Sequence, residues 1–380
     1  MRKKIHGTII VYCMFLTLLF TGCGSVPVKS NDQAKPNKDE EETDMIEEVP
    51  SLKEVYKDYF YIGAAISVDS VSKSPDKELI AKQFNIITPE NAMKFEPIHP
   101  QDGIYNFEPA DKIVEFAQRN DMKVIGHTLI WHNQTPDWVF KDADGNQVDR
   151  DVLLKRMEEH IKAVVGHYKG KVYGWDVVNE AIEDTAPYGL RDSMWKKIIG
   201  DDYIEWAFKF AHEADPDAEL YYNDYNTETP GKREAIYNLV KSLKGKGIRI
   251  DAVGMQSHIN IYYPSVQEIE ESIKKFSSLG VKVNISELDM DLYKWDEKED
   301  RYKDGVPDDI LKLQADRYGE IFALYRNYKD VIGRVTFWGY YDGGSWLNDF
   351  PIKGRTNYPL LFDREFKPKP AFWNVAKFAQ

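Results

Sequence analysis

From about residue 51 to its end the chain repeats one alternation: a short apolar run ending in polar or aromatic residues, then an amphipathic stretch of helical length. Nothing else in the sequence limits the fold as much. Strands separated by helices must pair in parallel and bury both faces of their sheet. Strands are expected over 60–67, 85–89, 123–132, 172–180, 219–224, 252–258, 282–288 and 334–340. Helices are expected over 109–119, 150–168, 194–214, 231–243, 266–279 and 308–328, some with evident caps such as Asp192-Ser193. Eight strands alternating with helices over about 320 residues is the pattern of a (β/α)8 barrel, an α/β fold. A doubly wound open sheet is the competing arrangement, but it usually shows a Gly-rich first turn, and this chain has none. With no internal repeat and no second linker, residues 51–380 are expected to form one domain.

The barrel reading can be tested within the sequence, because functional residues of such a fold gather at the C-terminal ends of its strands. The second run ends in Thr88-Pro89-Glu90-Asn91, with Lys94 just beyond. The third gives His127, Trp131, His132 and Gln134, the fourth Asn179-Glu180 and the fifth Asn223-Asp224. Gln256 and His258 end the sixth, Glu287 and Asp289 the seventh, and Trp338 followed by Trp346 the eighth. One such end would mean little; the repetition argues for a long, lined cleft.

Two carboxylates from different strands converging on one rim are what acid–base and nucleophilic work on a glycosidic bond requires. A lone strand-end Glu is ordinarily the partner of a Lys or Arg, but Glu180 and Glu287 come with company. Asn179 could donate to a sugar hydroxyl. Asp289 shares a strand face with Glu287, and His258 ends the neighbouring strand. A carboxylate–His–carboxylate set would hold Glu287 oriented and ionised, as a nucleophile must be. Glu180 follows an apolar strand and would face that charge, which would keep it protonated as the acid. Once Glu287 is esterified its charge vanishes, and Glu180 can serve as base toward water. His127 and His132 lie five apart on a strand, hence on opposite faces, and the chain has no His-x-His or Cys pair. No metal and no cofactor are expected. Trp131, Trp338 and Trp346 are read as sugar platforms and Trp175 and Trp195 as core.

The net charge of −13 and the absence of a basic stripe argue against a nucleic-acid partner. The N-terminus reads as a targeting segment. Arg2, Lys3 and Lys4 precede an apolar run from Ile9 to Phe20, too short to span a bilayer comfortably, and then Thr21-Gly22-Cys23. This resembles a bacterial lipoprotein signal, with residues 1–22 removed and Cys23 lipidated. Cys13 would be lost with the signal, leaving one cysteine and no internal disulfide. Residues 24–50 are polar, with the like-charge run Asp39-Glu40-Glu41-Glu42, and read with Cys23 as a disordered acidic linker. The expectation is an exported lipoprotein of the cell envelope, held to a bacterial membrane by lipid alone, its domain outside the cytoplasm.

In order along the chain, ENAMKFE (90–96), GHTLIWHNQTPDW (126–138), WDVVNEA (175–181), GLRDSMW (189–195), YYNDYN (221–226), GMQSHI (254–259), ISELD (285–289) and FWGYYDGGSWL (337–347) resemble the successive motifs of family 10 glycoside hydrolases. That resemblance covers residues 51–380. It implies a retaining endo-β-1,4-xylanase on a (β/α)8 barrel, acting on xylan and xylo-oligosaccharides and expected to work as a monomer. It also implies roles. Glu180 would be the acid/base and Glu287 the nucleophile, with His258 and Asp289 supporting the latter. Glu90, Asn91 and Lys94 would bind the xylose before the cleaved bond. His127, Asn179 and Gln256 would hold the reacting sugar between the walls Trp131, Trp338 and Trp346, with Gln134 as a neighbouring polar contact. Three departures stand out: Phe95 where Trp is common, Ser286 where Thr is frequent, and Gly339-Tyr340-Tyr341-Asp342, bulkier than the usual small residues, which alters that wall. Two other functions fit parts of the pattern. A barrel glycosidase cutting β-1,4-glucan differs only in steric crowding around the sugar's hydroxymethyl arm. A sugar-binding lipoprotein would share the anchor and the aromatics but has no need of Glu180 facing Glu287.

Overall fold

A computed structural model describes residues 49–378, and Cys13, Cys23 and most of the acidic segment lie outside that range. The strands are β1 (Tyr61–Ile66), β2 (Ile86–Pro89), β3 (Lys123–Ile130), β4 (Gly174–Asn179), β5 (Glu219–Asp224), β6 (Ala252–Met255), β7 (His258–Asn260), β8 (Lys282–Asp291) and β9 (Ile332–Phe337). Each of β1 to β5 pairs with the next, β6 pairs with β8, β8 with β9, and β9 returns to β1, all in parallel. The eight strands of this ring close on themselves, so no edge is left unpaired.

The three residues of β7 stand apart from the ring. They continue the line of β6 and pair with the far end of β8, His258 opposite Asp289. A single strand over 252–258 is therefore interrupted, and the cause is local: Ser257 takes a left-handed backbone, φ 60°. The helix expected over 194–214 is likewise two, Met194–Ile199 and Tyr203–Ala214. Gly200, with φ 105°, ends the first. A helix at Asp76–Gln83 was not anticipated, because its apolar residues are few among charged ones. Three short helices, Leu52–Val55, Phe95–Ile98 and Pro370–Ala376, were not anticipated either, while those expected over 109–119, 150–168, 231–243, 266–279 and 308–328 fall where periodicity places them. Three helix starts are fixed by side chains accepting backbone N–H groups, Asp149 from Val152, Ser193 from Lys196, and Ser265 from Glu268 in a capping box.

Most of the buried apolar side chains lie between ring and helices, Trp175 and Trp195 among them. A separate cluster, Ile86, Ile125, Tyr221 and Ala252, comes from the earlier parts of β2, β3, β5 and β6. Nearer the other end a buried ion pair crosses the ring, Arg334 Nη2 lying 3.6 Å from Asp176 Oδ1. Apolar filling thus gives way to a polar layer as the strands approach their C-terminal ends.

Candidate active site

Each side chain expected at the site stands on the C-terminal rim or in a loop leaving it, so the strands fix most of the geometry. Glu180 immediately follows β4. Its backbone is left-handed, φ 58°, a conformation unusual for a residue with a side chain. Two neighbours hold it there. The Glu180 N–H donates to the Asn223 carbonyl at 2.9 Å, and Arg191 Nε donates to the Glu180 carbonyl, also at 2.9 Å. The carboxyl is nearly buried. Oε2 accepts from Trp131 Nε1 at 2.7 Å, and Oε1 accepts from Gln256 Nε2 at 3.0 Å and Asn179 Nδ2 at 3.1 Å. Burial raises its pKa, and the negative charges of Asp224 and Glu287 add to this. Bonds from Gln256 and Trp131 oppose the rise without cancelling it.

Glu287 has the opposite balance. It is as buried as Glu180, which works against its charge, yet its pKa lies below the ordinary carboxylate range. A bond from His258, electrostatic attraction from His127 and His258, and a bond from Asn223 outweigh the burial. The geometry is direct. His258 Nε2 donates to Glu287 Oε2 at 3.1 Å and Nδ1 donates to Asp289 Oδ1 at 3.0 Å. Desolvation works to lower the His258 pKa, but the two carboxylates carry it up to about 10. The trio is therefore an imidazolium between two carboxylates. Trp346 Nε1 donates to the other Asp289 oxygen at 2.8 Å, and its ring lies 5.0 Å from that of His258.

The two glutamates are joined by a chain of amides. Asn223 Nδ2 donates to Glu287 Oε1 at 2.8 Å and to Asn179 Oδ1 at 2.9 Å. Gln256 Nε2 also reaches Asn179 Oδ1, at 3.1 Å, besides its bond to Glu180. Sequence reasoning left Asn223 out as a site residue, although it noted that this asparagine ends a strand. Two further supports went unseen. Ser286 Oγ donates to Asn223 Oδ1 at 2.6 Å, which fixes which end of that amide faces Glu287 and Asn179. His127 Nδ1 donates to the buried Asp176 at 2.9 Å. Asp176 lies in the apolar-looking run WDVVNE, and its alternation with Val177 was the only signal available.

The remaining expected residues stand on the neighbouring strand ends and loops. Glu90 follows β2, and burial raises its pKa against the pull of Lys94. Lys94 is itself buried, which lowers its pKa against the pull of Glu287, Glu90 and Glu180. It donates to Asn91 Oδ1 at 3.1 Å and stands 5.1 Å from the centre of the Trp131 ring. Trp338 is edge-on to His127 at 5.2 Å. Gln134 is left-handed, φ 45°, and its carbonyl accepts from the Glu96 N–H at 2.8 Å. Trp195 is core, as expected, but its Nε1 also donates to the Trp131 carbonyl at 2.9 Å. His132 takes no part in this constellation: burial and then the charge of Arg191 bring its pKa down to about 4. Among the described residues no group of three or more His, Cys, Asp or Glu is arranged to hold a metal ion.

One carboxyl poised to give a proton and another held ionised can together cleave an acetal by proton donation and attack. The comparisons with known proteins point the same way. The model of glycosyl hydrolase family 10 matches residues 51–378. A β-1,4-xylanase of Dictyoglomus thermophilum is 51% identical over 331 residues, 87% of this chain and 92% of that one. An endo-1,4-β-xylanase of Geobacillus stearothermophilus is 49% identical, over 87% of this chain and 99% of the other. Among solved structures, the xylanase XynB of Paenibacillus barcinonensis, complexed with a conduramine derivative, superposes with a TM-score of 0.85 at 46% identity. That superposition covers 87% of this chain and 98% of the other.

Proposed function

This chain belongs to glycosyl hydrolase family 10 and is an endo-1,4-β-xylanase; we propose that it cuts xylan by a retaining double displacement in which Glu180 is the acid/base and Glu287 the nucleophile. The observation that carries this assignment is the unequal environment of two like side chains. Glu287 is drawn toward its ionised form by an imidazolium and an amide, while burial beside negative charge draws Glu180 toward its protonated form. In the first step a Glu287 oxygen bonds to the anomeric carbon as the glycosidic bond breaks, and the Glu180 proton passes to the leaving oxygen. Glu287 is then an ester and carries no charge. The Glu180 pKa falls, and Glu180 takes a proton from the water that displaces Glu287. Glu90, Asn91 and Lys94 bind the xylose one position before the reacting one. His127, Asn179 and Gln256 hold the reacting sugar, with Trp131, Trp338 and Trp346 around it and Gln134 close by.

NMR of the first product tests the mechanism. The β-anomer is expected, and initial release of the α-anomer would overturn the nucleophilic role of Glu287. Digestion of xylan and carboxymethylcellulose side by side tests the substrate: xylo-oligosaccharides should appear from the first, and equal attack on both would broaden the assignment to β-1,4-glucans. We further propose, from the sequence around Cys23, that the enzyme works outside the cytoplasm as a lipid-anchored protein.

A further inference from the structure

Ser257 lies between two residues that serve different members of the catalytic pair. Gln256 on one side bonds to Glu180, and His258 on the other bonds to Glu287. The backbone ties them more closely still. The Gln256 N–H donates to the Asp224 carbonyl at 2.9 Å, and the Gln256 carbonyl accepts from the Glu287 N–H, also at 2.9 Å. Between these anchors Ser257 is left-handed, a backbone that its surroundings must impose. Arg317 Nε holds the far end of β7, donating to the Asn260 carbonyl at 3.1 Å. At the near end the Ser257 hydroxyl donates to Glu228 Oε1 in a long bond of 3.4 Å. Both side chains are buried, and Glu228 stands four residues beyond β5.

Glu228 has no part in the mechanism above, and a buried carboxyl is costly unless something bonds it. Burial raises its pKa; its bonds and the positive charge of His258 oppose the rise without cancelling it. Glu228 is thus drawn toward the neutral acid, which can give one hydrogen bond and accept others. Helices close the corner around it. Ser272, in the helix Val266–Ser277, donates Oγ to the carbonyl of the adjacent Thr227 at 3.0 Å. Tyr325, in the helix Asp308–Asn327, is fully buried beside Ser257 and Glu228, and its hydroxyl makes no well-formed hydrogen bond among the described residues. The charged groups that face this corner are His258, Arg317 and the pair Arg233–Glu271, 2.9 Å apart, with Arg233 Nη1 donating to Ser272 Oγ at 3.3 Å.

We propose that Glu228 is a positioning residue for both halves of the catalytic pair: its carboxyl holds the Ser257 hydroxyl, and through the Ser257 turn it keeps Gln256 on Glu180 and His258 on Glu287. The inference rests on the assignment of Glu180 and Glu287 above and adds a residue that bonds to neither. What Glu228 supplies is a hydrogen bond, not a charge. Releasing the turn should slacken both contacts at once. The bond from His258 holds the Glu287 pKa down, and the bond from Gln256 holds down that of Glu180. Losing both raises both, so the acid and the alkaline limb of activity should move together to higher pH. Removing His258 alone would move only the acid limb.

The pH profile of kcat/KM on a linear xylo-oligosaccharide would be measured for the native enzyme, Glu228→Leu, Glu228→Gln and Ser257→Ala. Glu228→Leu keeps the volume and discards the polar group. Both of its limbs should move up by about one pH unit, the worth of one hydrogen bond to a charged group. Ser257→Ala should move both limbs the same way, and it carries the test if Glu228→Leu does not fold. Glu228→Gln, still able to bond Ser257, should keep the native limbs. Limbs that stay in place in Glu228→Leu and Ser257→Ala, with only an earlier thermal unfolding, would make Glu228 a packing residue and overturn the proposal. So would a Glu228→Gln profile displaced as far as that of Glu228→Leu, since charge would then be the part that matters. A native profile without two limbs would overturn the reading of Glu180 and Glu287 and the proposal with it, whereas unmoved limbs overturn the proposal alone.

Discussion

Glu180 and Glu287 differ in nothing but surroundings, and their division of labour follows from those surroundings. Because Glu287 ionises below the ordinary range, activity should rise on the acid side through its pKa. Because Glu180 holds its proton above the ordinary range, activity should fall on the alkaline side through its own. His258→Gln removes the imidazolium and leaves burial unopposed by it. The acid limb of kcat/KM should then move to higher pH while the alkaline limb stays; an acid limb that does not move would show that His258 does not set the nucleophile's charge. Glu180→Ala removes both proton donor and base. With an aryl xylobioside of very acidic leaving group it should give a burst of phenolate and then a slow phase that azide accelerates. Xylan hydrolysis by the same variant should drop by ~10²–10⁴-fold. Equal losses on both substrates without azide rescue would mean that Glu180 is not the acid/base. At this scale the glutamates, His258 and Asp289 were legible because each ends or just follows an expected strand in a type of residue that seldom stands there idly. The left-handed backbone at Glu180 was not, since only the fold imposes it.

Among the elements, β5 and β8 carry the site's internal bracing. The pairing of β8 with β9 shifts register between Ile285 and Leu288. In this stretch Ser286 and Glu287, adjacent in sequence, both bond to the Asn223 side chain. Regular alternation would have sent them to opposite faces, and that is why the sequence did not reveal Asn223 as their common partner. Ser286→Ala would strand the Asn223 carbonyl oxygen in the interior. A stability loss of ~1–3 kcal/mol in urea unfolding is expected, and Ser286→Thr, which keeps the hydroxyl, should lose much less. Gly254, on β6, is a sharper case. A Cβ there would lie 2.1 Å from Asn223 Oδ1. Gly254→Ala should push the amide off Glu287 and Asn179 and lower kcat by ~10–100-fold, the worth of a charge-assisted hydrogen bond. Undiminished turnover in a folded Gly254→Ala protein would show the amide chain to be dispensable. The elements themselves were largely readable, because parallel strands and amphipathic helices each leave a period. The breaks at Gly200 and Ser257 were not, because one residue's φ leaves none.

On the scale of the molecule, composition alone separates the alternating strands and helices of the barrel from the polar segment 24–50. Cys23 lies outside the described residues, so the anchor is a matter for the cell. Cys23→Ser should send the enzyme to the medium or leave its signal uncleaved, and fractionation with detection of the N-terminal residue would decide; a native protein found free in the medium with some other first residue would end the lipoprotein reading. The closed ring has a different consequence. Glu180 and Glu287 are attached to strands whose neighbours on both sides are fixed, and the amide chain between them runs from strand end to strand end. The loops leaving β1 and β9 carry Ser67 and Tyr341 outside that ring, which does not constrain them. Inheritance can therefore act on the two parts at different speeds. Descendants of this chain are free to vary those loops by single substitutions. To alter the spacing of the two carboxyl groups, on which the anomer released depends, they would have to re-space the staves of the barrel itself.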